Sequence, residues 1–303
     1  MFINQAYKGD NTWWRVLVTT SLTAGIFVVN FIAYFFTTKE EMDKVYQSMS
    51  ELPNNLSLFI NLSPFILLLG LLFILVRVLH KRSILSLTTS RNKVDYIKIL
   101  FSFGLIVLLT VAAFAVSYSF DSSTILWNFN PMKFAVLFFI SILLFPFQIG
   151  FEEYLFRGYL MQQIGIIAKN RWFPLLVTSV MFGVFHSANP EVAKMGYGVM
   201  VFYIGTGLFL GIMTLMDESL ELALGFHLGN NLMAALLITS DFSAIHTDAV
   251  FKYSGVANPA DMLNEMIVSI LIVYPIILFI FAKKYNWNHW SEKLTGKIQA
   301  VNP

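Results

Sequence analysis

The sequence contains no cysteine, and only 13% of its residues are charged. The first absence excludes disulfides, thiolate nucleophiles and thiolate metal sites, and leaves the redox compartment open. The second leaves roughly half of the ~25% charge of an ordinary soluble domain. A formal net charge of +2 is too small to favour a nucleic-acid partner. No serine nucleophile motif, no H-E-x-x-H zinc motif and no internal repeat is found. What fills the chain instead is apolar: 57% of its 303 residues are hydrophobic, and 30 are Phe. That excess does not fit inside one soluble core, and lipid is the natural solvent for the remainder.

A spanning helix needs about 20 predominantly apolar residues. Charge-free windows at Val16–Thr38, Leu52–Val76, Ile99–Phe120, Phe134–Phe151, Trp172–Pro190, Met195–Met216, Leu222–Ser240 and Met266–Ala282 predict about eight transmembrane helices. The fold class expected is all-α, a polytopic membrane protein with its site inside the helix bundle. The first window lacks a small-residue cleavage pattern and reads as a retained helix. Eight spans put both termini on one side, and 15 of the 20 Lys and Arg residues fall on that side. Positive charge collects in the cytoplasm, so both termini are expected there. Longer loops are expected at Lys39–Glu51 and Asp241–Glu265.

Polar residues in apolar surroundings begin only with the fourth window. The chain therefore divides by function into N-terminal membrane helices (1–133), a site-bearing core (134–240), and a loop, last transmembrane helix and cytoplasmic tail (241–303). In Gly150–Gly158, two carboxylates and a guanidinium interrupt a helical pattern running from near Phe134 to about Ile167, with Pro146 allowing a kink. Each such charge costs roughly 2.5–3.5 kcal/mol at the bilayer centre. Glu153 and Arg157 lie four apart and pair on one helix face, which leaves Glu152 free for other work. Interfacial charge at a helix end is the bland alternative.

The histidines tip that balance. His80 reads as interfacial, beside Lys81 and Arg82; His246 and His289 fall in polar segments and read as solvated surface. His186 and His227 lie inside apolar windows. The fourth and fifth windows join near Gly165–Phe173; Glu152 precedes that turn by as many residues as His186 follows it, which sets both roughly 20 Å deep. Asn231 follows His227 by one turn, on the same face. A buried carboxylate, two imidazoles and an amide suit addition of water to an amide carbonyl. Glu152, His186 and His227 are also the candidate ligands if a metal is present, and zinc is the ion such a set takes. The residues allow it without demanding it.

Glu152-Glu153-x-x-x-Arg157, Phe182-x-x-x-His186 and His227-x-x-x-Asn231 occur in order on separate apolar segments. Together they resemble the CAAX protease and bacteriocin-processing family of intramembrane proteases. The resemblance covers about a third of the chain, from Phe134 to Ser240. It implies an eight-helix fold like that of CAAX prenyl endopeptidases, with Glu152 as water activator. It further implies that His186, His227 and Asn231 complete the site, and that Glu153 and Arg157 support it. The expected partners are a peptide or membrane-protein substrate and the lipid bilayer, in a bacterial plasma membrane. A non-catalytic binding or bacteriocin-immunity protein is one alternative. A proton-coupled transporter is the other, although the inverted repeats typical of transporters are not found. The two predict, respectively, a phenotype that survives Glu152→Gln and a pH-gradient-dependent flux.

Overall fold

The computed structural model describes residues 1–299, apart from 241, 242, 244, 256 and 257. The protein is an all-α polytopic membrane protein. In chain order the helices are α1 (Trp13–Phe36), α2 (Lys39–Ser50), α3 (Asn54–Leu62), α4 (Pro64–Val78), α5 (Leu85–Thr88), α6 (Tyr96–Phe120) and α7 (Pro131–Glu153). After a π-helical stretch, Tyr154–Leu160, come α8 (Met161–Ala168), α9 (Trp172–Val184), α10 (Pro190–Met195), α11 (Val199–Asp217) and α12 (Glu221–Leu236). The chain closes with α13 (Pro259–Val268), α14 (Tyr274–Tyr285) and α15 (Trp290–Thr295). Three short strands, β1 (Ile125–Trp127), β2 (Ile238–Ser240) and β3 (Phe251–Tyr253), form one sheet in the order β1-β3-β2.

Each of the eight apolar windows falls on a helix. Among the described residues, six helices are long and apolar enough to cross a membrane: Trp13–Tyr34, Asn54–Val78, Tyr96–Phe120, Pro131–Ala168, Val199–Asp217 and Leu263–Tyr285. The fifth and seventh windows differ from expectation. Helix α9 has 13 residues and α12 has 16. The first stops because Phe185–Ala188 turn away and Pro190 biases Asn189 out of the helical region, then opens α10. The second gives way to β2, which pairs with β3. Lys39–Glu51, expected as a loop, is mostly helical as α2, and the expected loop Asp241–Glu265 holds β3 and the start of α13; its first residue, Asp241, lies outside the described residues.

Local signals set the ends of the site helices. Asn130 caps α7 by accepting from the Lys133 amide at 3.1 Å, with Pro131 at the first helical position. The turn between α8 and α9 is made by Lys169, at φ 54°, and by Asn170, which accepts from the Phe173 amide at 2.9 Å. At the start of α12, Glu221 is buried and receives Arg91 and the Asp95 amide, the latter at 2.7 Å. Asp217, at the end of α11, pairs with Lys98 at 2.6 Å and Arg91 at 3.2 Å. This network ties the ends of α11 and α12 to α6 and its preceding loop, and fixes how far α12 enters the bundle.

His80, read as interfacial, is inside, and so is Arg82 beside it. His80 is fully buried, between the Thr19 and Tyr159 hydroxyls at 3.0 Å each and the Asp10 carbonyl at 2.8 Å. Arg82 is also buried, against Gln162 and Ser86. His80 secures the N-terminal segment and α1 to the π-helical stretch, and Arg82 secures its own loop to α8, where the flanks looked like a wet helix end in sequence.

Small residues bring the site helices together, as is usual where apolar burial alone does not drive helix association. On α12, a Cβ at Gly225 would lie 2.2 Å from the Ile99 carbonyl, and one at Gly229 2.4 Å from Ile106. Ser102 donates to the Leu222 carbonyl at 2.7 Å across the same seam. On α9 and α11, a Cβ at Gly207 would lie 2.8 Å from the Ser179 carbonyl. Gly225→Val is therefore expected to destabilise the protein by at least about 1–3 kcal/mol, the usual cost of overpacking. Gly104→Ala on α6, whose Cβ would meet nothing within 4 Å, is expected to be neutral or stabilising. Thermal unfolding in detergent compares the two; equal losses would contradict the seam.

Candidate active site

The site begins on α7 at the edge of the π-helical stretch, a feature often found at functional sites. Gln148 and Glu152 stand one turn apart, and the Gln148 amide donates to Glu152 Oε1 at 3.1 Å. The other oxygen, Oε2, is buried and has no hydrogen-bond partner among the described residues. Glu153 is fully buried behind it and is engaged twice. Its Oε1 accepts from Arg157 Nη1 at 2.9 Å and from His227 Nδ1 at 2.8 Å. The i,i+4 pair expected from the sequence is present.

Arg157 is as buried as its partner. Its Nη2 donates to the Gly207 carbonyl at 3.1 Å, and its guanidinium lies 4.4 Å from the centre of the Phe182 ring. A guanidinium taken out of water is tolerable only with such partners. The close approach of α9 and α11 at Gly207 supplies one of them.

His227 projects from α12 between the two carboxylates. Because Glu153 accepts from Nδ1, that nitrogen carries a hydrogen and Nε2 is turned towards Glu152, 3.7 Å from Oε2; in the tautomer assigned from this hydrogen bond Nε2 is bare. His186 departs from the sequence expectation, since it lies in the turn after α9 and not within a helix. Its Nδ1 is fixed on the Phe182 carbonyl at 2.7 Å, and its ring stacks on Tyr203, centroids 4.5 Å apart. Tyr203 in turn accepts from Asn189 at 2.9 Å and donates to Glu191 at 3.1 Å. Asn231 is half-buried one turn beyond His227 and accepts from Asn230 at 3.3 Å.

Glu152, His186, His227 and Asn231 line a single cavity of about 1580 Å³. Glu153 and Arg157 do not line it; they stand behind and hold what does. Small-molecule sites enclose about 300–1,000 Å³, so this one has room for several residues of a polypeptide. His246, read as solvated surface, also lines the cavity. Sequence reasoning passed over Gln148, Asn189, Glu191 and Tyr203. Of these, only Gln148 left a signal: an amide one turn before Glu152 in an apolar run.

Among the described residues, no three His, Asp or Glu side chains gather closely enough to hold a metal ion. His227 Nε2 and Glu152 Oε2 face one another, but the three-ligand set of Glu152, His186 and His227 does not assemble. As arranged among the described residues, these donors do not form a zinc site.

Residues 131–233 match the family model described as type II CAAX prenyl endopeptidase Rce1-like. The uncharacterized protein YyaK of Bacillus subtilis (strain 168) is 28% identical over 239 residues, which cover 77% of this chain and 80% of that protein. No solved structure matches the chain. The matched segment contains every residue of the constellation described above.

Removing the guanidinium would leave Glu153 buried without its counter-ion. Arg157→Ala is expected to destabilise the protein by about 3–5 kcal/mol. Lys44→Ala breaks a pair with Glu40 in which both side chains are more than two-thirds exposed, at 70% and 81%, and is expected to cost no more than about 1 kcal/mol. Chemical unfolding in detergent measures both; similar losses would mean that the buried pair is not a structural anchor.

Proposed function

We propose, for a chain whose residues 131–233 match the type II CAAX prenyl endopeptidase Rce1-like family model, an intramembrane endopeptidase that uses glutamate-activated water. One observation carries the reading. Glu152 Oε2 is buried and unpartnered in a large cavity, and faces His227 Nε2 at 3.7 Å. Two acceptors at that separation are both satisfied by one water molecule donating to each.

With a peptide in the cavity, Glu152 Oε2 takes one proton from that water as its oxygen bonds to the carbonyl carbon. The carbonyl π pair moves onto oxygen, where the Asn231 amide donates to the developing charge. His227, held by Glu153, keeps the second O–H aligned. As the intermediate collapses, the C–N bond breaks and Glu152 returns its proton to the amine nitrogen. His186, fixed by Phe182 and Tyr203, stands ready to receive an N–H of the leaving amine. Glu153 and Arg157 contribute by position, since they do not line the cavity. The proposal places both termini in the cytoplasm, on the asymmetry of the Lys and Arg residues, and the chain in a bacterial plasma membrane, on its similarity to a Bacillus subtilis protein.

The test is cleavage of a peptide library by detergent-purified protein. Glu152→Gln is expected to lower kcat/KM by roughly 10²–10⁴-fold, the usual worth of a positioned general base, with thermal stability near wild type. Equal turnover by the two would overturn the mechanism. A chelator in the same assay tests for zinc, and the mechanism above predicts no loss of rate.

A further inference from the structure

Phe27 belongs to α1, more than a hundred residues before the segment that carries the catalytic candidates, yet it lines the same cavity. Its ring stacks on Phe185, centroids 5.5 Å apart and planes 12° apart, and on Phe151, at 5.8 Å and 21°. Phe65 of α4 lies 6.2 Å away. The two stacked partners are the immediate chain neighbours of the site: Phe151 precedes Glu152, and Phe185 precedes His186. Phe156 extends the wall, 5.5 Å from Phe185. Phe27, Phe65 and Phe185 are half-buried and Phe151 is buried, and all four line the cavity.

None of these five rings carries a polar atom, and all five line the cavity that holds Glu152 and His186, two of them as the chain neighbours of those residues. The amide side chains that line the cavity come from α7 and α12 (Gln148, Asn230, Asn231), from α2 and α3 (Gln47, Asn54, Asn61) and from the turn before α10 (Asn189), and none belongs to this aromatic cluster. The cavity thus offers one lining to a peptide backbone and another to an apolar side chain.

We propose that Phe27 is the specificity-determining residue of this site, and that the Phe27–Phe151–Phe185 wall receives a large apolar, preferentially aromatic, side chain of the substrate next to the scissile bond. The proposal rests on the peptidase reading given above. A flat side chain extends the ring stack, which favours it by about 2- to 13-fold per aromatic contact over an aliphatic one of equal burial. A small side chain leaves the wall uncovered. A carboxylate there is dehydrated without a partner.

The experiment uses full-length protein and peptides that differ only at the residues flanking the scissile bond: Phe, Leu, Ala or Asp. Relative kcat/KM is read for wild type, Phe27→Ala and Phe27→Leu. Affinity for the same peptides is read in a Glu152→Gln background with and without Phe27→Ala. Wild type is expected to prefer Phe over Ala by about tenfold or more. Phe27→Ala should lower that ratio about 3- to 10-fold, in turnover and in affinity alike. Phe27→Leu keeps the bulk of the wall if the Ala variant does not fold; it should retain the preference for Leu over Ala and lower that for Phe. An unchanged Phe-to-Ala ratio in either variant overturns the proposal, as does equal binding of the Asp peptide to wild type. A Phe preference in affinity that Phe27→Ala removes, with no peptide hydrolysed, supports the subsite and rejects the peptidase. Hydrolysis without discrimination does the reverse.

Discussion

Glu153 is the residue on which the arrangement turns. One buried carboxylate oxygen receives both Arg157 and His227, at 2.9 and 2.8 Å. The first bond neutralises a guanidinium that would otherwise be expelled from the bundle, and the second chooses which imidazole nitrogen is bare. Charge balance and tautomer are thereby settled by the same atom. Glu152, its neighbour in sequence, is left with an oxygen committed to nothing. The division of labour between adjacent glutamates follows from helix geometry, since successive side chains are about 100° apart and cannot face the same partner.

The bundle exists to hold that geometry at depth. Glycines at 207, 225 and 229 let α11 and α12 approach α9 and α6 to distances no larger side chain permits. The approach at Gly207 delivers a backbone carbonyl to Arg157, and the seam at Gly225 seats the helix that bears His227. At the end of α11 and the start of α12, Arg91 and Lys98 lock Asp217 and Glu221. Shortness is part of the design as well. Because α9 ends at Val184, His186 lies in a turn, where its ring can bond back to Phe182 and stack on Tyr203.

Much of this was legible in sequence. Glu153 and Arg157 announced their pairing by spacing, and the turn near Gly165–Phe173 matched Glu152 with His186 in depth. Six of the eight apolar windows located the helices long and apolar enough to cross a membrane among the described residues. What hydropathy could not register was which polar residue is packed and which is wet. His80 and His246 were therefore misplaced, one at an interface and one on the surface. Pro190 was a visible signal that the fifth window breaks early, but mean apolarity across the window concealed it. The Glu153–His227 bond joins residues 74 apart in sequence, and no local pattern encodes it. The same holds for Phe27, whose helix reads as plain lipid-facing sequence until its ring is found against Phe151 and Phe185.

The central claim is that Glu153 fixes His227 with Nδ1 protonated and Nε2 turned to Glu152. Nitrogen-15 NMR of histidine-labelled protein, with His227 assigned by its loss in His227→Gln, reads that tautomer without reference to any substrate. A protonated Nδ1 and a bare Nε2 are expected in wild type, and a mixture of tautomers in Glu153→Leu. A His227 with hydrogen on Nε2 and a bare Nδ1 in wild type would contradict it.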